Sequence, residues 1–88
     1  MKDEIYWASN ISVSVVASDL FVFDEVTNNV YFYRGIKKAC FLLFRDNHNL
    51  DNVAEIIADD YKQKYVETAS WIKNFVDQCL KIGLLIKR

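Results

Sequence analysis

The stretch Val30–Tyr33, with the sequence Val-Tyr-Phe-Tyr, decides the fold class of this chain. These β-prone residues stand between Thr27-Asn28-Asn29, which favours a turn, and Arg34-Gly35. The sequence that follows has helical spacing, so we expect Val30–Tyr33 to be the last strand of a small sheet. A last strand can leave one edge of its backbone unpaired, and such an edge can accept another extended chain.

Further strands are predicted upstream of this stretch. Apolar and polar residues alternate from Ile11 to Ala17, which puts Ile11, Val13, Val15 and Ala17 on one face and two serines on the other. Ile5–Trp7 is either a leading strand or a packed arm. The other assignments are a turn at Ser18-Asp19, a strand at Leu20–Phe23, and a hairpin loop at Asp24–Asn29 in which Asn28 and Asn29 can take a positive φ.

Three helices are predicted after Gly35, each with an apolar stripe at spacings of three and four residues. They span about residues 36–45, 50–62 and 66–82, and the first has its stripe at Ile36, Ala39, Cys40, Leu43 and Phe44. Asn49 is predicted to cap the second helix, and Gly83 to end the third in the left-handed conformation. Strands followed by helices predict one α+β domain over residues 1–88, with its core at about 11–86.

The third predicted helix carries two apolar stripes. One contains Ala69, Ile72, Val76, Cys79 and Leu80, which suffices to dock the helix on the core. The second, at spacing i, i+4, i+7 and i+11, contains Trp71, Phe75, Gln78 and Ile82. Two interpretations stay open. Either the helix buries both stripes, or the second stripe lines a groove beside Val30–Tyr33 that could hold an apolar peptide.

Three segments of the chain carry a family resemblance. They are Tyr-Phe-Tyr-Arg-Gly-Ile (31–36), Asn-Leu-Asp-Asn-Val-Ala-Glu-Ile-Ile-Ala (49–58) and Phe-Val-Asp-Gln-Cys-Leu-Lys-Ile-Gly-Leu-Leu (75–85). Together with the order of elements, they resemble the PqqD-like proteins, the recognition elements of ribosomal peptide natural-product (RiPP) pathways. The resemblance implies a winged helix-turn-helix-like fold, in which a three-stranded antiparallel sheet is followed by three helices.

The resemblance also implies a function without catalysis. A family member binds the leader of a precursor peptide, which adds a strand beside the third strand of the sheet and packs on the third helix. The partner is then a separate tailoring enzyme or leader peptidase, as in lasso-peptide processing. Carried over by position, the implied peptide-binding residues are Val30, Tyr31, Phe32, Tyr33, Arg34, Trp71, Phe75, Gln78 and Ile82.

Composition, the two cysteines and the single histidine bear on whether the chain is a membrane protein, an enzyme or a metal-binding protein. No apolar run approaches the roughly 20 residues that span a bilayer, and the start lacks the features of a signal peptide. We expect a cytoplasmic protein with no membrane partner, in which Cys40 and Cys79 are buried and reduced. His48 lies in a polar turn, and Asp59-Asp60 is interpreted as a solvated face. No enzyme activity, cofactor or metal site is therefore expected.

Two alternatives to peptide binding stay open. A winged-helix protein could bind DNA, but the net charge is −1, and Arg34, Lys37 and Lys38 form the only compact basic cluster in the sequence. We therefore predict no nucleic-acid partner; a salt-sensitive shift of duplex DNA would contradict this prediction. Alternatively, the free strand could pair with its own copy, which predicts a monomer or a weak homodimer through the sheet edge.

Overall fold

The computed structural model describes residues 4–88. The three-stranded antiparallel sheet followed by three helices confirms the predicted α+β class. Within the described residues, β1 pairs with β5, and a separate sheet has the strand order β2-β3-β4. The elements are β1 (Ile5–Trp7), β2 (Ile11–Val16), β3 (Asp19–Asp24), β4 (Val30–Arg34), α1 (Gly35–Leu43), α2 (Leu50–Asp60), α3 (Tyr65–Lys81) and β5 (Leu85–Lys87).

The first turn of the meander lies one residue earlier than predicted. Val16 pairs with Asp19, so the connection contains only Ala17 and Ser18, and Asp19 begins β3. Ala17 has a φ of 55°. Two-residue hairpins commonly need a positive φ because their turns must match the right-handed twist of the strands. The assignment of Asp19 to the turn was wrong because its neighbours in the sheet, Val16 and Arg34, hold it in register.

Asp24 organises the second turn of the meander. Its carboxylate is 2% exposed, and its Oδ1 accepts hydrogen bonds from Asn10 Nδ2, Val26 N–H and Thr27 N–H at 2.9, 2.9 and 3.3 Å. Asn28 has a φ of 62°, as predicted for this loop. The bond from Val26 makes the largest contribution to lowering the pKa of Asp24.

The charge on Asp24 should make the hairpin sensitive to acid. Since the folded state lowers this pKa, the stabilisation is present above the unfolded pKa near 3.8 and is lost as the pH falls through the folded value. Asp24→Asn keeps the acceptor oxygen but removes the charge. We expect a lower urea midpoint than wild type at pH 6 and a smaller further decrease on acidification. An identical pH dependence in both proteins would contradict a role for this charge.

The core lies between one face of the sheet and the helices. On β4, Tyr31 and Tyr33 are half-buried against the core while Val30 and Phe32 are exposed, which settles the orientation that the sequence left open. Val15 is 50% exposed although the alternation grouped it with the core face, because the helices pack on β3 and β4 rather than on β2. The predicted stripe of α1 also omitted Phe41, which is fully buried.

The ends of the described chain are joined by the β1–β5 ribbon. Glu4 N–H donates to the Arg88 carbonyl, and Arg88 N–H donates to the Glu4 carbonyl, both at 2.9 Å. His48 fastens this ribbon to the α1–α2 turn, since its Nδ1–H donates to the Ile5 carbonyl at 3.0 Å and its ring stacks on Tyr6. Ile5–Trp7 is therefore a strand. No helix among residues 4–88 combines the length and the apolar character needed to cross a membrane.

Two predicted helix ends are confirmed. Asn49 Oδ1 accepts a hydrogen bond from Asn52 N–H at 3.0 Å and so caps α2. Gly83 has a φ of 83°, which lets the chain leave α3 and enter β5. In contrast, the second helix was predicted to run to about residue 62 but ends at Asp60, and Tyr61, which follows it, is 44% exposed.

Candidate peptide-binding site

Strand β4 forms one edge of the three-stranded sheet. It pairs with β3 on one side, and within residues 4–88 no strand pairs with its other side. The five residues Val30–Arg34 therefore present a row of main-chain groups to an incoming chain. This is the edge to which the family resemblance assigned strand addition.

The register of β4 fixes which of its backbone groups face outward. Asp24 N–H donates to the Asn29 carbonyl at 2.9 Å, in the same register as the rest of the β3–β4 pair. Because bonded and non-bonded pairs alternate in an antiparallel ladder, Tyr31 and Tyr33 exchange their hydrogen bonds with β3. The N–H and C=O groups that point to the open edge are those of Val30, Phe32 and Arg34.

Tyr33 joins β4 to helix α3. Its ring centroid lies 5.9 Å from that of Phe41 and 5.2 Å from that of Phe75, with an edge-on contact to Phe75. Its hydroxyl lies 3.8 Å from Cys79 Sγ. Burial raises the pKa of this hydroxyl, and the neighbouring Cys79 adds to the effect. Tyr33 is therefore a neutral packed side chain that holds the edge strand against α3.

The second stripe of α3 passes from core to surface along its length. Phe75 is 3% exposed, and Trp71 is half-buried against the core. Gln78 is exposed, and Ile82 is 39% exposed. Phe75 thus belongs to the core of the protein, while Gln78 and Ile82 have exposed side chains.

The three residues of the basic cluster, Arg34, Lys37 and Lys38, contact different parts of the molecule. Arg34 turns to the outer face of the sheet, where its Nε lies 2.5 Å from Asp19 Oδ1. Lys37 turns toward α3, with its Nζ 5.9 Å from the ring centroid of Phe75. Lys38 lines a cavity with Ser18, Gly35, Ala39, Leu42 and Tyr61. Three residues that are close in the sequence therefore have different neighbours in the structure.

The groups that could perform chemistry are held in structural roles. Cys40 and Cys79 are buried free thiols, as predicted. Burial raises the pKa of Cys79 to about 11, and burial with the neighbouring Cys79 raises that of Cys40 to about 12, so both stay protonated at neutral pH. His48 donates its Nδ1–H to the backbone. Among the described residues, no three His, Cys, Asp or Glu side chains meet in a metal-binding group.

Comparison with known proteins gives matches of structure. Two solved structures superpose on nearly the whole chain. TbiB1 in complex with the TbiA(beta) leader peptide matches with a TM-score of 0.86 at 9% identity, covering 91% of this chain and 93% of that one. The chain has the same fold as TbiB1. A lasso peptide synthetase B1 complexed with the leader peptide gives a TM-score of 0.85 at 16% identity, with 94% and 98% covered. No family model matches, and no curated protein matches.

Lys37 was named in the sequence only as part of the basic cluster and was not among the predicted peptide-binding residues. Phe41 and Phe44, which follow it at i+4 and i+7, are both fully buried. Lys37 therefore shares one face of the helix with Phe41 and Phe44, which places the aliphatic part of its side chain at the edge of the core. The spacing of Lys37, Phe41 and Phe44 is visible in the sequence. The predicted apolar stripe of the first helix did not include Phe41, so the position of Lys37 on the same face was missed.

Proposed function

We propose that this protein is a cytoplasmic, non-catalytic peptide-recognition element of the PqqD-like type. It binds the leader of a ribosomally made precursor by strand addition to β4 and delivers the precursor to a separate tailoring enzyme or leader peptidase. The pathway that we propose is of the lasso-peptide class, because a lasso peptide synthetase B1 complexed with the leader peptide has the same fold.

The observation that carries this proposal is the open edge of β4. The backbone groups of Val30, Phe32 and Arg34 are directed away from β3, in the arrangement that an added strand requires. The similarity of fold to TbiB1 in complex with the TbiA(beta) leader peptide, with a TM-score of 0.86, supports a leader peptide as the ligand. The half-buried Tyr33 supplies apolar surface on β4 itself, and the exposed Ile82 offers a further apolar side chain to the added strand.

The proposal is tested with the peptide most closely linked to this gene. A short reading frame beside it would be translated, and its N-terminal half would be synthesised with a fluorophore and titrated with the full-length protein. We expect a saturable rise in anisotropy that unlabelled leader reverses and that the C-terminal half of the same precursor does not produce. No binding of the leader, with a folded protein, would contradict the proposal.

The same preparation distinguishes the two alternatives. Sedimentation of the protein with and without leader tests whether a second copy occupies the edge, since a dimer through β4 should dissociate when the leader binds. Duplex DNA in the anisotropy assay tests the winged-helix alternative. The net charge is −1 and Arg34 is paired with Asp19, so we expect no shift at physiological salt.

A further inference from the structure

Lys37 lies where an added strand would meet helix α3. Its ammonium group is 5.9 Å from the ring centroid of Phe75, and the ring of Phe75 contacts Tyr33 of β4 at 5.2 Å. Its positive charge also acts on Cys79, where it opposes the rise in the pKa of the thiol. The position of the ammonium group over the ring of Phe75 therefore puts this cation beside the junction of β4 and α3.

Three groups at the junction beside Lys37 are apolar or neutral. Tyr33 and Cys79 are both protonated at neutral pH because burial raises their pKa values, and Phe75 has no charge. The side chain of Lys37 is exposed. A strand added to β4 would direct alternate side chains toward this inner face, on the same side as Tyr31 and Tyr33. A carboxylate at one inner position would meet the exposed ammonium group beside an apolar surface.

We infer that Lys37 selects a leader segment with an Asp or Glu on its inward face, at an even spacing from the apolar residue that packs beside Tyr33. The inference rests on the proposed function, because it assumes that the leader occupies the β4 edge. The acidic residue lies toward the end of β4 that leads into α1, since Lys37 belongs to the first turn of that helix. Any extended peptide could form main-chain hydrogen bonds with β4. The contact with Lys37 makes binding depend on the sequence of the peptide as well.

The test uses a displayed library of short random peptides, selected separately on wild-type protein, Lys37→Glu and Lys38→Glu. Lys38 is the matched control, because it is adjacent in sequence but lines the cavity beside Tyr61. We expect wild type and Lys38→Glu to enrich Asp or Glu at one position. Lys37→Glu should enrich Lys or Arg at that same position, because its charge is reversed.

The strongest peptide is then synthesised with its acidic residue intact or changed to the matching amide. On wild type we expect the amide to bind about 3- to 10-fold more weakly at low salt, and the difference should vanish on Lys37→Met. Equal binding of both peptides to wild type would overturn the inference about Lys37. Circular dichroism of each variant checks that it is folded.

Failure of the inference is distinguishable from failure of the proposed function. If acidic residues are not selected but Phe32→Pro still removes binding, the leader uses the β4 edge without a contact to Lys37. If the selected peptides bind equally well to Phe32→Pro, or if none is enriched, the edge is not a peptide site. That outcome contradicts the proposed function and the role of Lys37 together.

Discussion

Replacing Phe32 by proline is expected to weaken leader binding by about 30- to 150-fold while the domain stays folded. Proline removes the Phe32 N–H, which faces the open edge, and so leaves a buried carbonyl of the leader without a donor. An unsatisfied group of this kind costs about 2–3 kcal/mol, and each 1.4 kcal/mol is tenfold in affinity. Fluorescence anisotropy measures the affinity, and far-UV circular dichroism checks the fold.

Two variants separate this main-chain effect from other consequences of the change. Phe32→Ala removes the ring, which stacks on Phe21 at 6.0 Å, but keeps the N–H, so it should bind far better than Phe32→Pro. Tyr31→Pro removes an N–H that bonds to β3, so it should unfold the sheet. If Phe32→Pro binds as well as Phe32→Ala, the leader does not add to β4 and the proposed site is wrong.

Replacing Phe75 by alanine is expected to be the most destabilising change at the candidate site. Phe75 is 3% exposed and contacts Tyr33, so its removal leaves a cavity between β4 and α3. Truncating a buried phenylalanine costs about 3–5 kcal/mol, against a typical total stability of about 5–15 kcal/mol. Urea denaturation followed by tryptophan fluorescence should show the lower midpoint directly.

Ile82 on the same stripe is the matched control for Phe75. It is 39% exposed, so Ile82→Ala should lower the free energy of unfolding by less than about 1 kcal/mol. If Ile82 contacts the leader, the same variant should bind it more weakly per folded molecule. A Phe75→Ala protein that keeps full stability but loses affinity would instead make Phe75 a wall of an open groove, contrary to its burial.

The order of elements was predictable from local sequence because strand alternation and helical spacing are properties of neighbouring residues. Asn49 and Gly83 marked helix ends correctly, since a capping side chain and a left-handed residue act within a few positions. Ser18 was placed in the turn correctly, but Asp19 was not, because the pairing of Asp19 with Val16 and Arg34 depends on partners elsewhere in the sheet.

The geometry of the candidate site depends on contacts between residues that are far apart in the sequence, and local patterns do not reveal them. The pattern gave Tyr31 and Tyr33 one face and Val30 and Phe32 the other, but only the packing of Tyr33 on α3 decides which pair is inside. Likewise, Lys37 and Lys38 are adjacent in sequence and yet contact different regions of the molecule. The contacts of these two side chains depend on how α1 leaves the sheet. Composition and charge counts carry no information about that geometry.

The antiparallel pairing of β1 with β5 has a consequence for engineering and for gene fusion. Because Glu4 and Arg88 are hydrogen-bonded neighbours, a second domain joined directly to Glu4 or to Arg88 would start from nearly the same place. A short bridge could close the chain, and new ends could then be opened in an exposed loop. The domain could also be spliced into a surface loop of another protein as a cassette, with β4 left uncovered.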